Sequence, residues 1–382
     1  MKQNYDVIIV GAGPAGAMLA YKLARKGIEV LLLEKEKLPR YKCCAGGVTS
    51  KARELLDFDI SEVVEDVVCD VNFSYKLGGH YPGHCSQPLI YTVMRDAFDH
   101  LLVKRAQQSG AMVIDKQEVK QIQTKADGVE ISTGDSIFRS RVAAGADGAY
   151  SVVARELGLR RNIEYTAGIE RELVVSEEQV AKWKSRVEID MGSITGCYAW
   201  VFPKRNLLST GAICPTHRAR SLRRYYQKFL SSLSINNYTI SKASSHLIPT
   251  YGGKTIIFQD KVLLLGDAAG LADPLTGEGI YNAIQSAGLA AGVIENSLAQ
   301  NRTELQDYQR AVEEKIMSEM RIAHTLSKFF ARFPHLAFRM LKSDSRVWKT
   351  CCYLLRGETN YAIIKERIGG FKDMFAFLSR VY

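Results

Sequence analysis

No stretch of this sequence approaches the ~18 consecutive apolar residues that a helix needs to cross a bilayer, which excludes a membrane-spanning domain from the expected architecture. Internal repeats, low-complexity tracts and linker-like segments are also missing, so any domains must be interleaved rather than strung in series. Like charges never gather into a run, and there is no RNA-binding signature or basic zipper. The formal net charge of +10 therefore points away from nucleic acid and toward an anionic cofactor or an anionic membrane surface. Eight cysteines occur without a paired CxxC spacing and without a signal peptide, which predicts reduced thiols in a cytoplasmic protein rather than a disulfide framework or a metal site. Met1 leads into a strand within a few residues, leaving no room for a targeting segment.

The chain has 382 residues, more than the roughly 250 to 300 at which single cores stop growing, so two domains are expected. "YDVIIVGAGPAGAMLAYKLARKGIEVLLLEKE" reads as strand, glycine turn, helix, strand. Gly11, Gly13 and Gly16 form G-x-G-x-x-G at the turn. The first glycine permits the tight bend, the second lets a pyrophosphate approach the backbone, and the third lets helix and strand pack closely. Glu34 ends the second strand, where a ribose-binding carboxylate is expected. "YTVMRDAFDHLLVKRAQQSG" has helical spacing up to Gly110, residues from about 160 to 255 alternate as an antiparallel sheet would, and the chain after residue 300 reads as helical throughout.

"VLLLGDAAGLADPLTGEGI" repeats the logic of a strand ending in a small-residue turn. Asp267 is placed to accept a ribitol hydroxyl, while Gly277 and Gly279 would let backbone amides reach a ring edge. A helix starting near Gly279 would aim its positive end at that ring, favouring an anionic reduced flavin. A nicotinamide enzyme has no need of such a second site.

The glycine triplet, "ADGAYSVVAR" with Asp147 and Gly148, and "GDAAGLADPLTGEGI" resemble, in this order and across about residues 5–290, the three flavin motifs of the p-hydroxybenzoate hydroxylase superfamily. The resemblance implies an α/β fold: a doubly wound, glutathione-reductase-like FAD-binding domain interleaved with an antiparallel-sheet substrate domain and a C-terminal helical segment. The expected bounds are 1–75, 91–160 and 255–300 for the first, 76–90 and 161–254 for the second, and 301–382 for the third. Residues expected at the cofactor are Gly11, Gly13, Pro14, Ala15, Gly16, Glu34, Lys35, Cys44, Ala45, Gly46, Asp147, Gly148, Gly266, Asp267, Pro274, Gly277, Gly279 and Ile280. By the same resemblance Arg95 would touch the FAD phosphates or ribitol; as plain sequence it is a solvated helix residue.

Within that superfamily, "PRYKCCAGG" (39–47) and "YAWVFP" (198–203) are similar to the Pro-x-x-Tyr-Lys-x-Cys-Gly-Gly and Tyr-x-Trp-x-Phe-Pro segments of the geranylgeranyl reductase family. Cys44 takes the family cysteine's place, and Ala45 replaces the first glycine after it. The resemblance implies an FAD-dependent reductase that saturates isolated double bonds of prenyl chains in a lipid, quinone or pigment precursor, with NADPH or reduced ferredoxin as electron donor. Independently of it, Tyr198, Trp200 and Phe202 alternate along a strand and so share one face. Their rings can bind a greasy chain and stabilise positive charge on an alkene carbon, at ~0.5 to 2 kcal/mol per ring; the alternative is an aromatic face that packs the core. Gly46 and Gly47 would admit the cofactor or substrate to the backbone. Cys44 can shape the pocket, hold the substrate or act as a slow acid, or it can be a small buried apolar residue. Cys43 reads as structural, and the tandem Cys351-Cys352 has no assigned role.

Residues 321–342, "RIAHTLSKFFARFPHLAFRMLK", form a basic amphipathic stretch suited either to an anionic membrane surface or to a helix pair broken at Pro334 and packed on the protein. The rival activity is a flavin-dependent monooxygenase or halogenase on the same scaffold, since fold alone does not fix chemistry.

Overall fold

Val7 to Val10 are buried on both faces of a sheet, the environment that calls for an unbroken apolar run and parallel neighbours. The strand Asn4–Val10 lies between Val30–Leu33 and Ile137–Gly145, with Met112–Ile114 and Val262–Leu264 farther out, all parallel. The computed structural model describes residues 4–159 and 162–367. An antiparallel hairpin, Gln121–Thr124 with Val129–Ser132, and the short strand Phe258–Gln259 complete this eight-stranded sheet. The helices Pro14–Ala24 and Ile280–Ala299 pack on one another, their many alanines permitting close approach.

A second, seven-stranded sheet runs in the order Thr239–Tyr251, Ile163–Val174, Leu208–Pro215, Tyr198–Pro203, Arg186–Met191, Asp70–Tyr75, Gly79–His84. One of its faces is covered by the helix Leu222–Ser232, whose Leu222, Tyr225, Tyr226, Phe229 and Leu230 pack with Ala199, Val201, Leu208 and Ala212. A three-stranded sheet of Gly47–Thr49, Ile90–Val93 and Val64–Val68 stands beside it in sequence.

The chain divides into two units and enters each three times: Met1–Tyr41, Asp96–Glu164 and Pro249–Arg321 in the first, Lys42–Arg95, Tyr165–Ile248 and Ile322–Tyr382 in the second. This grouping differs from the expected bounds. Residues 42–75 belong to the second unit, because Asp70–Tyr75 pairs with Arg186–Met191, and it does so in parallel, so the sheet is mixed rather than purely antiparallel. The helix expected from Tyr91 begins only at Arg95; the β-branched Ile90, Thr92 and Val93 instead pair with the strands on either side.

The described part of the chain after residue 305 is helical, with Ser318–Arg332 and Pro334–Ser343 separated at the proline, which opens the second helix where its missing N–H costs nothing. Residues 368–382, the end of the expected helical segment, lie outside the described residues. Among the described residues no helix is long and apolar enough to cross a membrane. The expectation of uniformly reduced thiols is overturned: Cys197 and Cys214 form a disulfide, with Cα atoms 4.3 Å apart. They flank the neighbouring pair Tyr198 and Ile213 on adjacent strands, so the pairing follows from strand register rather than from any sequence spacing.

Candidate functional site

In the first unit the glycine turn is built for a close visitor. Gly11 has φ +100°, and a Cβ there would lie 2.4 Å from the Ala146 carbonyl oxygen; one on Gly16 would lie 1.9 Å from the Gly11 carbonyl. These two are packing glycines. Gly13 differs: it caps the helix Pro14–Ala24 with no side chain bonded to the helix end, and a Cβ placed on it would meet only the Arg40 Nη2, at 3.7 Å. An uncapped helix N-terminus behind an open glycine, with a guanidinium beside it, fits a pyrophosphate. Pro14 and Ala15 follow in the first turn, both buried.

Glu34 is buried, as a ribose-binding carboxylate at a strand end would be, and is held by the Ala12 amide on Oε2 (2.9 Å) and the Glu36 amide on Oε1 (3.1 Å). Lys35 beside it is exposed. Arg40, which sequence reasoning did not single out, links Glu34 (Nε to Oε2, 3.3 Å) to the buried Asp99 (Nη1 to Oδ2, 3.0 Å). The available signal was Asp99 itself, an acid set among Phe98, Leu101 and Leu102 on the apolar side of a helix. Arg95, the expected phosphate contact, is the half-buried first residue of that helix.

Asp147 spends its carboxylate locally, accepting from the Ser151 hydroxyl (2.5 Å) and the Val152 (2.7 Å) and Val153 (3.2 Å) amides, so it caps the helix Val152–Glu156. Burial nonetheless holds its carboxyl above the usual range. Gly148 follows with φ +77° and no atom within 4 Å of where a Cβ would stand.

In the third motif, Gly266 has φ +50°, and Asp267 lies within 3.3 Å of where a Cβ on Gly279 would stand. Gly279 caps the long helix Ile280–Ala299 with no side chain bonded to its end, consistent with the expected dipole. The expectation for Gly277 needs correction: its amide already donates to the Asp273 carbonyl (2.8 Å), so it closes the turn and does not reach for a ring. Asp273, missed in the sequence, organises this loop around Pro274; its carboxylate accepts from the Leu275 (2.7 Å) and Thr276 (3.0 Å) amides. These cradles fit an FAD, with phosphates at Gly13 and polar groups near Glu34 and Asp267.

In the second unit, the cysteine turn and the aromatic strand come together. A Cβ on Gly47 would lie 2.8 Å from Phe202 Cε1, so the Phe202 ring edge rests against Gly47. Gly46 has φ +66°, and a Cβ there would lie 2.0 Å from the Val93 carbonyl oxygen and 2.8 Å from Lys204 Nζ; no other residue fits. The Gly46 amide donates to Cys44 Sγ (3.4 Å) and the Val93 amide to the Gly46 carbonyl (2.8 Å). As the alternation predicts, Ala199 and Val201 face the core, while Tyr198 and Trp200 share the other face, ring centroids 5.9 Å apart. Trp200 packs over Gly211 of the next strand, and its buried indole N–H has no acceptor among the described residues.

Two further residues of this unit were invisible in the sequence. Glu170, on the strand beyond Gly211, accepts from the Cys44 amide (2.5 Å) and the Ser209 hydroxyl (2.7 Å). Lys204, which follows Pro203, is buried and donates to the Ala45 (2.7 Å) and Val93 (2.8 Å) carbonyls. Cys43 is inert by comparison: burial, then the charge and hydrogen bond of Glu170, push its thiol up to about 12.

A model of the FAD binding domain family matches residues 4–241. The chain is 33% identical over 89% of its length to an uncharacterized protein of Methanosarcina barkeri, of which 87% is covered. It is 27% identical to the digeranylgeranylglycerophospholipid reductase of Methanocella arvoryzae, over 78% of this chain and 79% of that one. Among solved structures, a geranylgeranyl bacteriochlorophyll reductase-like protein of Thermoplasma acidophilum superposes with a TM-score of 0.78 at 24% identity, covering 86% of this chain and 88% of the other; this likeness concerns the fold.

Proposed function

This chain belongs to the FAD binding domain family and is an FAD-dependent oxidoreductase with relatives named geranylgeranyl reductase; from there we propose that it saturates isolated double bonds in the prenyl chains of a lipid-like substrate. The observation that supports this reading most is the rest of Phe202 on Gly47, which puts a cysteine turn and a row of aromatic rings side by side in one unit.

Bound FAD, once reduced by NADPH or ferredoxin, supplies a hydride. The chain's own residues do the rest. Gly13, Glu34 and Asp267 would hold the cofactor, with the Arg40 guanidinium beside Gly13, while Gly11 and Gly16 pack the turn behind them. An isolated alkene is a poor hydride acceptor, and its more substituted carbon gathers positive charge as it reacts. Tyr198, Trp200 and Phe202 offer ring faces to that carbon and to the hydrocarbon around it, ~0.5 to 2 kcal/mol for each well-placed ring. Cys44 or a water protonates the less substituted carbon as the hydride reaches the more substituted one; the Gly46 amide fixes the Cys44 sulfur for that task. Positioning to about 3–3.5 Å is worth more than any single group here.

The substrate's lipid character also gives the helices Ser318–Arg332 and Pro334–Ser343 a purpose. Phe329 and Phe338 are buried, which satisfies the packed-helix reading for them, while Phe333, one side of whose ring packs on Phe329, is 46% exposed beside Arg332 and can turn its outer side to headgroups. The direct test is anaerobic: photoreduced protein mixed with a digeranylgeranyl lipid should reoxidise and raise the lipid mass in steps of two hydrogens. Unchanged lipid across several prenyl substrates, or turnover that demands oxygen, would reject the reading.

A further inference from the structure

The turn that carries Cys44 is held by two opposite charges. On one side Glu170 accepts the Cys44 amide at 2.5 Å and is itself anchored by the Ser209 hydroxyl at 2.7 Å. On the other, Lys204 Nζ donates to the Ala45 carbonyl at 2.7 Å and the Val93 carbonyl at 2.8 Å. Glu170 and Lys204 are each 2% exposed. An ammonium this deep is expensive when its bonds go to carbonyls rather than to a carboxylate. Two neutral carbonyls could have been satisfied by a hydroxyl or a water at far lower cost, so the charge needs an explanation beyond hydrogen-bond counting.

We propose that Lys204 and Glu170 are positioning residues for the reduction: the cation grips Ala45 and Val93, the anion grips the Cys44 amide, and between them they fix the direction of the Cys44 thiol. The peptide joining Cys44 to Ala45 is thus held at its two flanking groups by charge-assisted bonds, which are shorter and stronger than neutral ones. The same grip places Gly46 where its amide meets Cys44 Sγ and its carbonyl meets the Val93 amide, so the sulfur has one orientation. Glu170 also touches the neighbouring cysteine. It accepts from the Cys43 thiol, which burial and that carboxylate keep protonated.

Lys204 gives the device a pH limit. Burial holds its ammonium down to about 8, with the charges of Cys44, Glu170, Glu65 and Glu172 pulling the other way. Above that pH the lysine is neutral and its grip on the carbonyls weakens, although the turn's other bonds remain.

The role in chemistry rests on the prenyl-reductase reading, so the test reads the turn separately from turnover. Backbone amide exchange of a peptide covering residues 43–47, corrected for intrinsic rates, should lose protection in wild type as pH rises from 7 to 9.5, with a midpoint near 8. Lys204→Met should exchange there about tenfold faster at pH 7 and show no pH step. Glu170→Ala should also deprotect the Cys44 amide, and Glu170→Gln, which keeps an acceptor, should restore it. With a prenyl lipid as probe, Lys204→Met should lower kcat about tenfold or more at little change in KM, and the alkaline limb of the wild-type pH profile should vanish. A flat wild-type protection profile, or a Lys204→Met turn as protected as wild type, overturns the proposal. Loss of protection in a protein that reduces no prenyl substrate would retain the grip but overturn its assignment to the reduction.

Discussion

Gly46 is the residue on which the cysteine turn depends most. Its φ of +66° and the 2.0 Å that would separate a Cβ from the Val93 carbonyl leave no room for alanine. Gly46→Ala should cost about 1–3 kcal/mol from backbone strain alone, with the clash in addition, and should abolish turnover. Thermal unfolding and a kcat measurement would check this. Lys204 carries the opposite kind of cost. Its pKa is lowered on folding, from 10.5 to about 8, so below pH 8 both states are protonated and the burial penalty is felt in full. Between 8 and 10.5 the unfolded chain binds more protons than the folded one, and stability must rise with pH. Urea unfolding of wild type relative to Lys204→Met should therefore shift in favour of wild type by about 3 kcal/mol across that window. A constant difference would mean that the site does not penalise the ammonium. Stability gained and turnover lost over the same pH range is a signature that simple alkaline denaturation cannot mimic.

At the scale of elements, the strand Tyr198–Pro203 is where sequence and structure agree best. Alternation is a local property: once 198–203 is a strand, Ala199 and Val201 must face one way and the rings the other. The glycine turn after Asn4–Val10 was legible for the same reason, since strand, turn and helix are contiguous. The partners of these elements were not. The bond from Cys44 to Glu170 spans 126 positions and that from Lys204 to Ala45 spans 159, and nothing in either local pattern marks the far residue. Arg40 lies inside the cysteine motif, but nothing local marks it, because its meaning lies in Glu34 and Asp99. The disulfide belongs here as well. Cys197 and Cys214 tie the start of the aromatic strand to its neighbour across 17 positions. In the chain-entropy view, closing a loop of that size is worth roughly 3 kcal/mol, so Cys197→Ser/Cys214→Ser should lower the urea unfolding free energy by about that much. An unchanged midpoint, or thiol titration showing both cysteines reduced, would count against the bridge.

For the molecule as a whole, the chain's threefold entry into each of two units explains why bounds along the sequence do not capture residues 42–75: the segment follows the dinucleotide module in order, but its strand Asp70–Tyr75 pairs with Arg186–Met191 far downstream. The net charge of +10 gives the proposed contact with an anionic surface an electrostatic part that salt screens. Sedimentation with anionic vesicles should capture the protein at low salt, release it near 0.5 M salt, where the screening length falls to about 4–5 Å, and capture Phe333→Ser less well. Equal recovery with neutral vesicles would argue that the basic helices serve packing alone.

The claim that joins these scales is that the three rings beside the cysteine turn receive the alkene. It can be tested by anaerobic stopped-flow of photoreduced protein against a digeranylgeranyl lipid, comparing wild type with Trp200→Leu/Phe202→Leu. The account predicts that wild type reoxidises while the lipid gains hydrogen in pairs, and that the double variant, still binding flavin, reacts about 5- to 900-fold more slowly, as the loss of two ring contacts requires. Equal rates in the two proteins would contradict it.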